Sequence, residues 1–101
     1  MRDIEHQIQV AYFVAISYHP EWEWIHAIPN GGKRGKATAA RMKAEGVKRG
    51  IADVFIPYPR RGCPGLYIEF KAPGRKQTEE QLEYEAHCRE QGYGYLVFDN
   101  A

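Results

Sequence analysis

Asp53, Glu69 and Lys71 are the residues of this 101-residue chain whose types and spacing could do chemistry. Pro59, Arg60, Arg61, Gly62, Cys63 and Pro64 have the composition of a hairpin loop. If that hairpin is simple and turns near Arg61, Asp53 and Glu69 lie equally far from the turn. They then face one another across two strands, give or take one residue for a bulge. The strand period of two puts Glu69 and Lys71 on one face and Ile68 and Phe70 on the other, toward the core. Opposed carboxylates repel unless a proton, a cationic side chain or a metal ion offsets the repulsion. Lys71 can help, and a hard divalent ion also prefers carboxylate oxygen. Two carboxylates and a backbone carbonyl make an open site, able to hold a phosphate oxygen and lower the pKa of a bound water. A lysine beside it can orient that water and offset charge building on phosphorus. The alternative is an ordinary exposed Glu-x-Lys pair, with Asp53 at the start of a surface strand. Spacing alone favours that alternative.

The elements that must position these residues follow from periodicity and punctuation. Asp3 can cap a helix running to about Tyr18, with Ile4, Ile8, Ala11, Tyr12 and Ala15 at helical spacing and Pro20 as its stop. Trp22 to Ile28 reads as a strand, with Trp22 and Trp24 on one face and expected to be buried in the core or at an interface rather than to stack on bases. Asn30, Gly31 and Gly32 signal a turn, and Lys36 to Glu45 a helix stopped by Gly46. Ile51 to Tyr58 and Gly65 to Lys71 read as strands, Thr78 to Gln91 as a helix ended by Gly92, and Tyr93 to Phe98 as a last strand. Thr78 and Gln81 form a capping box. The order α-β-α-β-β-α-β predicts one α/β domain over residues 1–101, with a mixed sheet flanked by helices.

Composition narrows the partners. The chain is 44% hydrophobic and 13% aromatic, which favours a folded core over disorder. Its longest apolar run, Val10 to Ile16, is far short of the roughly 20 residues a membrane helix needs. The opening residues MRDIEHQ do not read as a secretory signal, and Cys63 and Cys88 form no CxxC pair. A cytoplasmic, reducing location is the expectation. His6, His19, His26 and His87 lack zinc-site spacing, and the seven tyrosines carry no assigned chemistry. Net charge is only +1, but Lys33 to Arg49 holds seven basic residues against Glu45, a local charge of +6. Glu79 to Glu90 carries −4. One surface can attract a polyanion that another repels. Asn30, Gly31 and Gly32 beside Lys33, Arg34 and Lys36 suggest a loop whose backbone N–H groups approach a phosphate. Arg41 and Lys43 cannot share a helix face fully with Lys36.

Taken together, Glu5 and Gln9 on the first helix, Gly50-Ile51-Ala52-Asp53, Glu69-Phe70-Lys71, Thr78-Glu79-Glu80-Gln81 and the Asn30-Gly31-Gly32 turn resemble the VRR-NUC family of the PD-(D/E)xK nuclease superfamily. The resemblance spans nearly the whole chain. It implies an Mg2+- or Mn2+-dependent endodeoxyribonuclease, with Asp53, Glu69 and the Phe70 carbonyl as metal ligands and Lys71 as the catalytic lysine. Gln81 would support the lysine or the attacking water, and Glu5 matches the family's helix-one glutamate near the metal. Taken by themselves, Glu5 is a first-turn acid favoured by the helix dipole and Gln81 is the N3 partner of the Thr78 cap. Gln81 would have to leave that cap to act elsewhere. Ala52 departs from the family's usual proline, which supplies no ligand. Stand-alone members resemble homodimers that cut branched DNA, including four-way (Holliday) junctions, a substrate of DNA repair. Symmetric resolution of a junction needs two sites, so a dimer is expected. The other readings are a non-cleaving DNA-binding module, against which the Asp-Glu-Lys set argues, and a repair or restriction nuclease subunit targeted by another chain.

Overall fold

The computed structural model describes residues 2–29 and 35–99. Its elements are α1 (Arg2–Ile16), a single 3-10 turn (Trp22–Trp24), β1 (His26–Ala27), α2 (Lys36–Ala44), β2 (Val54–Ile56), β3 (Leu66–Phe70), α3 (Glu79–Glu90) and β4 (Gly94–Phe98). The strands form one sheet in the order β1-β2-β3-β4, antiparallel except for the parallel pair β3 and β4. The order of helices and strands is the expected one.

Strand alternation splits the core in two. Val54, Ile68 and Phe70 turn to one face and pack with Ile8, Tyr12 and Phe13 of α1. Tyr67 and Tyr95 turn to the other, where they meet Tyr84 and Cys88 of α3. The sheet is thus covered on both sides, which is why Glu69 and Lys71 are buried at 0% and 5% exposure rather than solvated. Charged residues are almost never buried this far without partners.

Two expectations need correction. The α1 stripe facing the sheet runs through Glu5, Ile8, Tyr12 and Phe13, whereas Ile4, Ala11 and Ala15 are exposed. Phe13 wins over Ala15 because an aromatic ring reaches the Val54–Ile68–Phe70 cluster and a methyl group does not. The first strand is only two residues long, and Trp22 and Trp24 are 46% and 65% exposed. Pairing His26 with Phe55 would bring Trp24 opposite Pro57, which has no N–H to offer a ladder. The chain coils instead, with Trp22 N–H donating to His19 O and Ile25 N–H to Trp22 O.

The hairpin between β2 and β3 sets the register of the site. At its tip Arg60 and Cys63 exchange both backbone hydrogen bonds, at 2.9 and 2.8 Å. Arg61 (φ 50°) and Gly62 (φ 81°) both take positive φ, as a two-residue type I′ turn requires. The ladder beyond pairs Val54 with Ile68, Phe55 with Tyr67 and Ile56 with Leu66. Residues 57–59 on one arm therefore match only residues 64 and 65 on the other. Had the tip register run on unchanged, position 53 would oppose Phe70. The extra residue shifts the ladder by one, and the pairing ends at Val54 and Ile68, where the Asp53 N–H also donates to Ile68 O.

Gly50 locks the approach to Asp53. Its φ is +80°, and a Cβ there would lie 2.6 Å from the Glu80 Cβ at the start of α3. Gly50→Ala should cost about 2–4 kcal/mol, from left-handed strain and overpacking together, read as a lower urea midpoint with unchanged slope.

Candidate active site

Asp53 sits one step beyond the paired part of β2. Its backbone is held on both sides: its N–H donates to Ile68 O (2.9 Å), and its carbonyl accepts from Ile28 N–H (2.8 Å). Its side chain reaches across to β3, where Oδ2 accepts the Phe70 N–H at 2.8 Å. A residue's N–H and C=O point to the same side of a strand, so the Phe70 carbonyl is directed to the Asp53 side as well.

Glu69 lies close enough to Asp53 for the two carboxylates to oppose one another's charge. Its Oε1 accepts from Tyr95 Oη–H (2.8 Å) and Gln77 Nε2 (3.2 Å). Its Oε2 is buried with no hydrogen-bond partner. Burial pushes the Glu69 carboxyl above the usual carboxylate range and nearby Asp53 adds to the push, although Tyr95, Gln77 and Lys71 oppose it. Burial likewise raises the Tyr95 hydroxyl, and its bond to Glu69 raises it further.

Lys71 extends the β3–β4 ladder by one bond, its N–H donating to Phe98 O (3.0 Å). Its Nζ donates to Gln81 Oε1 (3.1 Å) and lies 4.0 Å from Glu5 Oε2. Glu5 reaches this point because it lies on the sheet-facing stripe of α1, and its Oε2 also accepts the Ala72 N–H (3.1 Å). Gln81 need not leave its cap. The capping box is complete, and the same Oε1 accepts both Thr78 N–H (2.9 Å) and the lysine, using the two lone pairs of one amide oxygen. Asp53, Glu69, Phe70, Lys71, Gln81 and Glu5 are thus brought together by four separate elements or their ends. Gln9, one turn along α1, lines a groove with His6, Val10, Phe13 and Ala27.

Asn30, Gly31, Gly32, Lys33 and Arg34 lie outside the described residues. Lys36 opens α2 and is exposed, as are Arg41 and Lys43; no residue of α2 is buried. Tyr95 and Gln77 are functional candidates that sequence reasoning missed. Tyr95 reaches Glu69 only because β4 pairs in parallel with β3 in the register Glu69 to Val97, and no local signal carries that register. Gln77 is one polar residue before a helix cap, a position that points to no role.

No family model matches the chain, and no curated protein matches it. A solved structure described as a VRR_NUC domain protein does, with a TM-score of 0.80 and 26% sequence identity over 96% of this chain and 78% of that one. The chain therefore has the α/β fold of a VRR-NUC domain, a nuclease-family fold. The likeness read from Glu5 to the last strand is borne out in three dimensions. No helix among the described residues is long and apolar enough to cross a membrane.

Proposed function

We propose that the chain is a divalent-metal-dependent endonuclease that cuts branched DNA, including four-way junctions. The observation that carries this reading is the orphaned Oε2 of buried Glu69, near the Asp53 carboxylate and beside a buried lysine. A carboxylate oxygen taken out of water with no donor is costly, and a bound cation offsets that cost. Among the described residues no group of three or more His, Cys, Asp or Glu is placed to hold a metal ion. Asp53, Glu69 and the Phe70 carbonyl would therefore hold the ion by themselves, leaving room for water and a phosphate oxygen. Such an all-oxygen, incomplete donor set suits Mg2+ or Mn2+.

When bound, a cation here would lower the pKa of a water and draw charge from the phosphate oxygens. The residues of the chain supply the rest. Lys71 offers an ammonium to the transferring phosphoryl group, where negative charge builds. Gln81 aims that ammonium from the α3 cap, and Glu5 sets its other side. The segment from Gly31 to Arg49 would grip the backbone by charge, without reading bases. At and just before its start, Asn30, Gly31, Gly32, Lys33, Arg34 and Lys36 are the residues proposed to meet phosphates. Two nicks across a junction need two sites, so the active form is proposed to be a homodimer.

The test is incubation of labelled four-way junction, flap, linear duplex and single strand with Mg2+, Mn2+ or EDTA. Cleavage of branched DNA that EDTA stops is expected. Cleavage indifferent to EDTA, or no cleavage of any substrate with either ion, overturns the reading.

A further inference from the structure

We propose that Tyr95 and Gln77 are positioning residues that hold Glu69 by a single oxygen, Oε1, so that Oε2 is presented to a divalent cation. This rests on the metal reading of the site above.

A buried carboxylate kept for stability alone would spread its donors over both oxygens. Here both go to Oε1, from Tyr95 Oη–H at 2.8 Å and Gln77 Nε2 at 3.2 Å, and the equally buried Oε2 has none. Each donor is fixed from behind. Gln77 Nε2 also donates to Glu85 Oε1 at 2.9 Å, which sets the amide's orientation between two acceptors. Glu85 Oε2 accepts Arg89 Nε at 2.9 Å, and Arg89 donates in turn to the Tyr95 carbonyl at 2.9 Å. The chain of bonds closes on itself: Glu69, Gln77, Glu85, Arg89, Tyr95 and back to Glu69. The Tyr95 ring is wedged between Tyr67 and Tyr84, with centroids 6.4 and 6.3 Å away. The carboxyl group of Glu69 cannot turn about its last bond without breaking both donors. Outer partners that orient ligands in this way commonly govern metal affinity.

The test is Mn2+ binding by the full chain, followed by the electron paramagnetic resonance signal of free Mn2+. Tyr95→Phe keeps the ring in the core and removes only the donor. Gln77→Met keeps length and removes both amide bonds, and it carries the comparison should Tyr95→Phe fail to fold. Each should weaken Mn2+ binding about 10- to 100-fold. A merely structural role is separated by a cycle: in a Glu69→Gln background, Tyr95→Phe should add nothing to the already weakened binding. Wild-type Mn2+ affinity in both single variants, or the same further loss in the Glu69→Gln background, overturns the proposal. Wild-type protein that binds no Mn2+ removes the metal reading itself, and this inference with it.

Discussion

Lys71→Met is expected to lower the single-turnover rate of junction cleavage by about 10²- to 10³-fold, the usual cost of losing one preorganised charge at a transition state. Asp53→Asn should abolish cleavage. Both substitutions leave the scaffold standing, for reasons visible in the hydrogen bonds. Asn at position 53 still offers an oxygen to the Phe70 N–H, so the end of β3 stays tied. Met at position 71 fills a side-chain site that is 7% exposed, and neither of the lysine's partners is stranded. Gln81 Oε1 keeps the Thr78 N–H, and Glu5 Oε2 keeps the Ala72 N–H. Junction binding in EDTA should therefore match the wild type for Lys71→Met. An Asp53→Asn protein that cuts at the wild-type rate would show that the site is misplaced.

Divalent cation should raise the melting temperature of the wild type by about 10–20 °C at a hundredfold excess over its dissociation constant. Binding to the folded state alone contributes about 2.7 kcal/mol at that excess, and each kcal/mol shifts a domain of this size by about 4–8 °C. The cause is Glu69, whose burial and Asp53 neighbour oppose its charge. In cation-free protein the raised Glu69 carboxyl holds its proton at a pH where the unfolded chain has released it. Its contribution to stability is therefore fully present below the unfolded pKa and lost as pH rises through the folded one. A cation at this point replaces the proton, so its stabilising effect should grow over that same rise in pH. Glu69→Gln should be at least as stable as the wild type without cation and gain far less at the same cation concentration. Differential scanning fluorimetry across pH, with EDTA, Mg2+ or Mn2+, reads both outcomes.

Much of this was legible in the chain itself, and the exceptions have physical causes. The Thr78 cap, the Gly46 and Gly92 stops and the order of elements depend on neighbours in sequence, and all were readable. The nearness of Asp53 and Glu69 was also readable, but not their register: one arm of the hairpin absorbs an extra residue, and the ladder ends at Val54 and Ile68. The β1 strand was overread because aromatic, β-branched composition says nothing of whether the partner has N–H groups to give, and Pro57 has none. The burial of Glu69 and Lys71 was not readable, since E-x-K looks the same on a wet sheet as beneath a helix. Tyr95 was out of reach because only the parallel register that pairs Glu69 with Val97 brings its hydroxyl to Glu69, 26 residues away in the chain.

The amide oxygen of Gln81 has a wider consequence. Helix ends fray readily, because their terminal groups have few internal partners. Here the first turn of α3 cannot loosen without releasing an ammonium group from its cradle, and Gly50 wedges the same turn from outside. Local melting and the orientation of that ammonium are a single mechanical event, so the stiffness of a helix start becomes the stiffness of the proposed reaction centre.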